Sequence, residues 1–232
     1  MSDITYEQRR GQIEDYFDRT AVAAWAKLTS DAPVGRIRAT VRAGRDQMRA
    51  TLLSWLGADL RGKRILDAGC GTGALAVEAA LRGAQVVAID LSPTLVDLAR
   101  ERIPRNIAHL VDFHSGDMLD PALGTFDHVV AMDSIIHYQT EDAVNALATL
   151  AERTHRSMAF TFAPRTPLLA AMISIGRLFP RGDRAPWLEP MCESKIIQLM
   201  SQQDELSDWK SARTQRVSSG FYKSQAMEWV RA

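Results

Sequence analysis

The 232 residues suit one domain with an extension, since single domains commonly hold roughly 100–200 residues. With 46% apolar and 24% charged residues the chain can build an ordinary soluble core, and no apolar run reaches the ~20 residues of a membrane span. Lysine plus arginine and aspartate plus glutamate both number 28, so no global field recruits nucleic acid.

Residues 1–60 read as helical. Ile13, Tyr16, Phe17, Ala24 and Trp25 make an apolar-aromatic segment, and a second helix spans about 35–56, with Ile37, Val41, Met48, Leu52 and Trp55 on one face. Arg38, Arg42, Arg45 and Arg49 recur at helical spacing and form a basic stripe at the edge of that face. The stripe is either a plain solvated face or a rim of guanidiniums able to grip carboxylates.

From residue 62 onward strands alternate with helices. Strands are expected at 64–68, 85–89, 110–114, 126–132 and 157–163, with helices at 73–82, 93–102 and 140–152 between them. Ser92 and Pro93 read as N-cap and first residue of the middle helix. Short apolar strands alternating with helices predict an α/β fold with a parallel sheet covered on both faces. Five prolines break the rhythm in 164–204, around an apolar stretch, 168–178, and a short helix near 192–202. Two final runs, 212–218 and 221–229, predict an antiparallel pair at the sheet edge.

The first strand leads into Asp67-Ala-Gly69-Cys70-Gly71-Thr-Gly73 and then a run of strong helix formers. A strand, a tight turn and a helix N-terminus leave backbone N–H groups pointing outward, where an anionic ligand group is favoured. A carboxylate at 67 tends to repel a pyrophosphate. S-adenosylmethionine instead brings a carboxylate for the helix end and an ammonium and sulfonium for the acid, so the pattern favours it. Gly69, Gly71 and Ala74 also satisfy G-x-G-x-x-A, a dinucleotide fingerprint. Cys70 reads as structural; with Cys192 it gives neither metal spacing nor a disulfide framework, which fits a reducing, cytoplasmic location.

Ligands of open α/β sheets bind beyond the carboxyl ends of the strands. Four successive strand ends carry Asp67, Asp90, Asp117 and Asp133. Asp90 follows the glycine turn by about twenty residues, the spacing at which a carboxylate reaches ribose hydroxyls.

This arrangement resembles the class I S-adenosylmethionine-dependent methyltransferases over about 64–160. The resemblance implies a doubly wound, seven-stranded sheet with an antiparallel last strand. It places Asp67, Gly69 and Gly71 at the methionine moiety, Asp90 with Leu91 at the ribose, Asp117 and Met118 at the adenine, and Met132 on the methyl-donor side. Beyond that core, Asp133-Ser-Ile-Ile-His137-Tyr138, Tyr16-Phe17 followed by Trp25, Phe162-Ala-Pro-Arg-Thr166, Leu178-Phe-Pro180 and Ser219-Gly-Phe-Tyr222 resemble the magnesium protoporphyrin IX O-methyltransferases. Thr29 stands where some members carry tyrosine.

The chemistry implied is esterification of one porphyrin propionate, in (bacterio)chlorophyll biosynthesis. His137, Tyr138 and Tyr16 are the expected catalytic residues, and Trp25, Arg38, Arg42 and Arg45 the expected substrate contacts. Residues 1–60 would form a helical substrate lid and 61–232 the cofactor-binding domain, with a cap at 164–204. Magnesium belongs to the substrate, so no protein metal site is implied. The porphyrin-binding subunit of magnesium chelatase is a candidate partner, and membrane contact is peripheral at most. The rival readings are a methyltransferase acting on a quinone or phenol precursor, a nicotinamide-dependent oxidoreductase, and a non-catalytic binding module.

Overall fold

In the computed structural model, described over residues 6–16, 35–165 and 188–232, the alternating segments form one seven-stranded sheet. The strands are β1 (Arg64–Ala68), β2 (Gln85–Asp90), β3 (Val111–Ser115), β4 (Phe126–Ala131), β5 (Thr154–Phe162), β6 (Trp209–Ser219) and β7 (Tyr222–Arg231). Their spatial order is β3-β2-β1-β4-β5-β7-β6. The first five are parallel, and β7 runs antiparallel between β5 and β6. The order turns around at β1 and β4, so the connections leaving those two neighbours diverge to opposite faces and open a crevice at their carboxyl ends.

The helices are α1 (Tyr6–Asp15), α2 (Arg36–Leu56), α3 (Ala74–Leu81), α4 (Pro93–Arg102), α5 (Thr140–Ala151) and α6 (Glu193–Met200). Period-two alternation in the strands sorts the core into two layers. Leu66, Val129, Met158 and Phe160 join α5 and α6 on one face. Ile65, Val130 and Ala159 face the other way, with Met48 and Leu52 of α2, Ala76 and Ala79 of α3 and Val96 of α4. Phe160, 1% exposed, lies in the middle of the first layer; truncating such a ring to alanine costs about 3–5 kcal/mol.

Local signals set several ends where the sequence puts them. Ser92 accepts a hydrogen bond from the Leu95 N–H, with Pro93 at the first turn of α4. Elsewhere the structure corrects the expectation. β5 begins at Thr154, three residues early, because its exposed His155 and Arg156 mask the strand pattern where its pairing starts. β6 begins at Trp209 and is mostly exposed; Lys210, Arg213 and Arg216 protect an open edge from further pairing. Ile37 is 59% exposed, so the apolar face of α2 starts a turn or more later, and its buried positions are Gly44, Met48, Thr51, Leu52 and Leu53. The apolar stretch 168–178, along with Phe17, Trp25 and Thr29, lies outside the described residues.

Candidate active site

The carboxyl ends of β1, β2, β3 and β4 open into a cavity of about 320 Å³, to whose lining α1 contributes Tyr6 and Ile13 and α2 contributes Arg42, Arg45, Asp46 and Arg49. Asp67, Gly69, Gly71, Asp90, Leu91, Asp117, Met118 and Met132 all line it, as do His137, Tyr138, Arg42 and Arg45. Tyr16, half-buried just past α1, and Arg38, exposed on the first turns of α2, stand outside this wall. Tyr6, Ile13 and Arg49 also line the cavity; of these the sequence points only to Arg49, as one of the four arginines of the stripe, and gives Tyr6 and Ile13 no site role.

The β1–β2 side is built by backbone. Gly69 and Gly71 have φ of 88° and 53°, values open to glycine at no steric cost. Their lack of a side chain serves two different ends. A Cβ on Gly69 would lie 2.3 Å from Cβ of Ser134, so this glycine lets the loop after β4 close onto the turn; a Cβ on Gly71 would point into open space. Open space beside the backbone is therefore left at Gly71, whereas the space beside Gly69 is taken by Ser134. Asp90 clamps the turn by accepting from the Gly71 N–H at 2.8 Å and the Ser92 N–H at 3.0 Å. Burial pushes its carboxyl up, against the pull of those backbone donors.

Asp67, 1% exposed, accepts from the Ala76 N–H, while its Oδ2 has no hydrogen-bond partner. Burial, with Asp90 nearby, raises its carboxyl to about 7, although the N–H of Ala76 and the charge of Arg49 oppose the rise. An unpartnered buried carboxylate oxygen costs free energy, and a cationic ligand group placed there would remove that cost. Burial likewise lifts the Cys70 thiol well above its usual range, consistent with a structural role.

On the opposite wall α1 reaches across. The Tyr6 hydroxyl donates to Asp117 Oδ1 at 3.2 Å, Arg10 donates to Oδ2 at 2.5 Å, and the Leu119 N–H donates to Oδ1 at 2.9 Å. The Tyr6 ring stacks on Tyr138, with centroids 5.0 Å apart and planes at 19°. Burial, then the neighbouring Tyr138 and Asp117, pushes the Tyr6 phenol above its ordinary value, and burial raises Tyr138 to about 12. Both phenols are therefore neutral donors across the physiological range. His137, 6% exposed, sits in a single 3-10 turn, Ile135–His137, that follows β4. No local signal marks Tyr6 and Arg10, because their partner lies more than a hundred positions away in sequence.

The arginine stripe divides. Arg45 pairs with Asp133 at 3.0 Å, and Arg49 pairs with Glu78 and Asp46. Asp133, whose carboxylate is 7% exposed, also accepts from Tyr222 and Thr161. Among the described residues no group of three His, Cys, Asp or Glu is placed to hold a metal ion.

Comparison with known proteins agrees along the whole chain. A family model described as the magnesium-protoporphyrin IX methyltransferase C-terminus matches residues 131–231, and a general methyltransferase-domain model matches 65–156. A magnesium-protoporphyrin O-methyltransferase of Rhodobacter capsulatus is 48% identical over 225 residues, covering 97% of each chain. The chain belongs to the magnesium-protoporphyrin O-methyltransferases. A Synechocystis member is 31% identical over 95% of each chain. The crystal structure of the Synechocystis magnesium protoporphyrin IX methyltransferase with bound SAH superposes with a TM-score of 0.84, at 30% identity, over 96% of this chain and all of that one. A ubiquinone biosynthesis O-methyltransferase of Xanthomonas oryzae matches at 35% identity over only 53% of this chain. The family signal therefore extends past the cofactor half, which many methyltransferases share, into the half that distinguishes this family.

Proposed function

We propose that this chain transfers a methyl group from S-adenosylmethionine to a propionate carboxylate of magnesium protoporphyrin IX, forming the monomethyl ester in (bacterio)chlorophyll biosynthesis. The observation that carries the reading is the 48% identity to the Rhodobacter capsulatus relative over 97% of both chains. The cavity fits the co-substrate on its own chemistry: the unpartnered Asp67 Oδ2 is an acceptor for an ammonium, and the open side of Gly71 leaves the backbone bare. Asp90 is proposed to accept from ribose hydroxyls with the lone pairs that the Gly71 and Ser92 amides leave over. Leu91, Asp117 and Met118 would frame the adenine, and Met132 the methyl-donor side.

When bound, S-adenosylmethionine supplies an electrophilic methyl group that leaves a neutral thioether as the carboxylate oxygen takes it. The chain itself has little proton chemistry to perform, since carboxyl groups of this kind titrate near ~4–5 and the nucleophile is ionised at pH 7. Its task is to orient that oxygen and exclude water. His137 and Tyr138 are proposed to donate hydrogen bonds that hold the reacting carboxylate, or His137 to accept one from the water on the substrate's magnesium. Arg42 and Arg45 bring positive charge to the wall, and exposed Arg38 extends it outward. Tyr16 is proposed as a further catalytic residue and Trp25 as a contact for the porphyrin. α1, which touches the cavity through Tyr6 and Ile13, supports a substrate lid within residues 1–60 for the 61–232 domain, and residues 164–204 are proposed as its cap.

The porphyrin-binding subunit of magnesium chelatase is the proposed donor of substrate. Any membrane contact is proposed to be peripheral; no helix among the described residues is long and apolar enough to cross a membrane. The deciding experiment incubates the protein with methyl-labelled S-adenosylmethionine and magnesium protoporphyrin and then separates the pigments. Label in the monomethyl ester supports the reading. Unlabelled pigment, with turnover on a phenolic quinone precursor instead, would sink it.

A further inference from the structure

Asp133 carries more structure than a strand-end acid requires. Among the described residues it is the one non-glycine residue in the left-handed region, with φ of 56°. A side chain rarely adopts that conformation unless its surroundings over-determine it, and such residues cluster at functional sites. Here three distant elements do the determining. Arg45 of α2 donates to Oδ2 at 3.0 Å. Tyr222 at the start of β7 donates to both oxygens, at 3.0 and 3.2 Å. Thr161 of β5 closes a ring, accepting from the Asp133 N–H at 2.8 Å and donating to Oδ1 at 3.2 Å.

Two of the three partners are tightly packed. Tyr222 lies against α2 at Gly44, where an added Cβ would come within 2.5 Å of the ring, and Thr161 is fully buried. What this anchor holds is the turn that follows. Ser134 abuts Gly69 of the cofactor-side turn and has a buried hydroxyl with no partner in the protein, at the cavity wall. Three residues later come His137 and Tyr138.

We propose that Asp133 is a positioning residue for methyl transfer: its carboxylate, held by Arg45, Tyr222 and Thr161, fixes the turn that presents Ser134 and His137 against the glycine loop. The inference rests on the methyltransferase reading and deepens it. Arg45 then has a second duty besides any contact with substrate, since it ties α2 to the same turn. Because a displacement of about 1 Å in a reacting group can cost on the order of 100-fold in rate, the anchor should be visible in kcat rather than in cofactor affinity.

The test uses the full chain, with single-turnover methyl transfer to magnesium protoporphyrin and calorimetric S-adenosylmethionine binding measured on the same preparations. Asp133→Ala, which loses both the carboxylate and much of the tolerance for positive φ, should lower kcat about 100-fold. Asp133→Asn keeps that tolerance and an acceptor oxygen, so it should recover most of the loss, to within about 10-fold of wild type. Tyr222→Phe deletes one hydroxyl while keeping the ring on Gly44, and should lower kcat about 3- to 10-fold, the scale of one hydrogen bond. In all three, cofactor Kd should stay within about threefold of wild type. A wild-type kcat in Asp133→Ala, or a parallel fall of kcat and cofactor affinity in Tyr222→Phe, would overturn the proposal. Should Asp133→Ala fail to fold, Tyr222→Phe decides, and an unchanged kcat there rejects the anchor. A wild-type protein that does not methylate the porphyrin would instead reject the underlying reading, so the two failures are told apart.

Discussion

The two walls of the cavity are built in opposite ways. On the β1–β2 side the geometry is local: three glycines at positive φ (Gly69, Gly71 and Gly73), a helix start, and Asp90 bound to the N–H groups of Gly71 and Ser92. On the β3–β4 side the carboxylates are held from afar. Asp117 is tied to Tyr6 and Arg10 of α1, and Asp133 to Arg45, Thr161 and Tyr222. A wall made of backbone tolerates variation elsewhere and suits a co-substrate common to many enzymes. A wall made by converging side chains can be re-set by changing any one of them; on the proposed reading it carries both the adenine contact at Asp117 and, at Asp133, the turn that leads to His137.

That contrast makes the cofactor wall the place where a single deletion should do the most. Asp90 both clamps the turn and, on the proposed reading, binds ribose, and bonds to a charged partner contribute roughly 1.5–3 kcal/mol. Asp90→Ala should weaken S-adenosylmethionine binding about 100-fold, at 1.4 kcal/mol per tenfold. An unchanged Kd by calorimetry would remove Asp90 from the site.

The turn after β4, where the acceptor is proposed to lie, should respond in rate instead. His137→Phe fills similar space without a polar donor and should lower kcat roughly 10- to 100-fold, with cofactor Kd little changed, at or below the low end of general acid–base effects. A loss above about 10⁴-fold in folded protein would imply an essential proton transfer and favour a phenolic acceptor. Full activity would reduce His137 to packing.

The outer arginines should act more weakly still. Arg38→Gln combined with Arg42→Gln should raise the porphyrin KM by about 3- to 10-fold and leave cofactor affinity alone. Salt should mimic the change, because exposed charges lose influence beyond a Debye length of about 8 Å. Wild-type KM and wild-type salt response in the double variant would return both residues to the solvated surface.

The smallest effect concerns Asp67 in the ligand-free protein. Its folded carboxyl is raised to about 7, above the roughly 3.9 expected of an unfolded aspartate, so between those values the folded state binds more protons. Stability from this group is therefore present at low pH and is lost as pH rises through about 7. The ligand-free protein should lose a few degrees of Tm relative to Asp67→Asn between about pH 5 and pH 8, and S-adenosylmethionine should reverse the loss in wild type alone. Parallel Tm profiles for the two proteins would mean that Asp67 is paired in solution.

Much of the fold and of the cofactor wall was legible in the sequence because short-range chemistry writes them. Ser92-Pro93 marks a helix start, alternating apolar runs mark strands buried on both faces, and Asp67 to Gly73 marks the turn. The residues that escaped were those whose meaning lies in a partner far along the chain. Tyr6 and Arg10 are unremarkable in a polar helix until Asp117 is placed beside them, and Tyr222 enters the sequence reading only within a family motif, with no role of its own. The start of β5 was hidden for a related reason: polar His155 and Arg156 belong to a strand through pairing, not through burial.

The sequence by itself determined the order of elements, the parallel sheet and the row of four strand-end carboxylates, since each follows from periodicity, capping and turn chemistry within a few residues. Only the tertiary structure decided how those carboxylates are used. Asp67 keeps an unpartnered oxygen at the cavity and Asp90 binds backbone, whereas Asp117 and Asp133 are held by side chains from other elements. The four look alike in sequence because an aspartate's local pattern records only that the strand has ended. Their difference comes from desolvation and from the charges and donors that packing brings near, and those depend on contacts that no local pattern encodes.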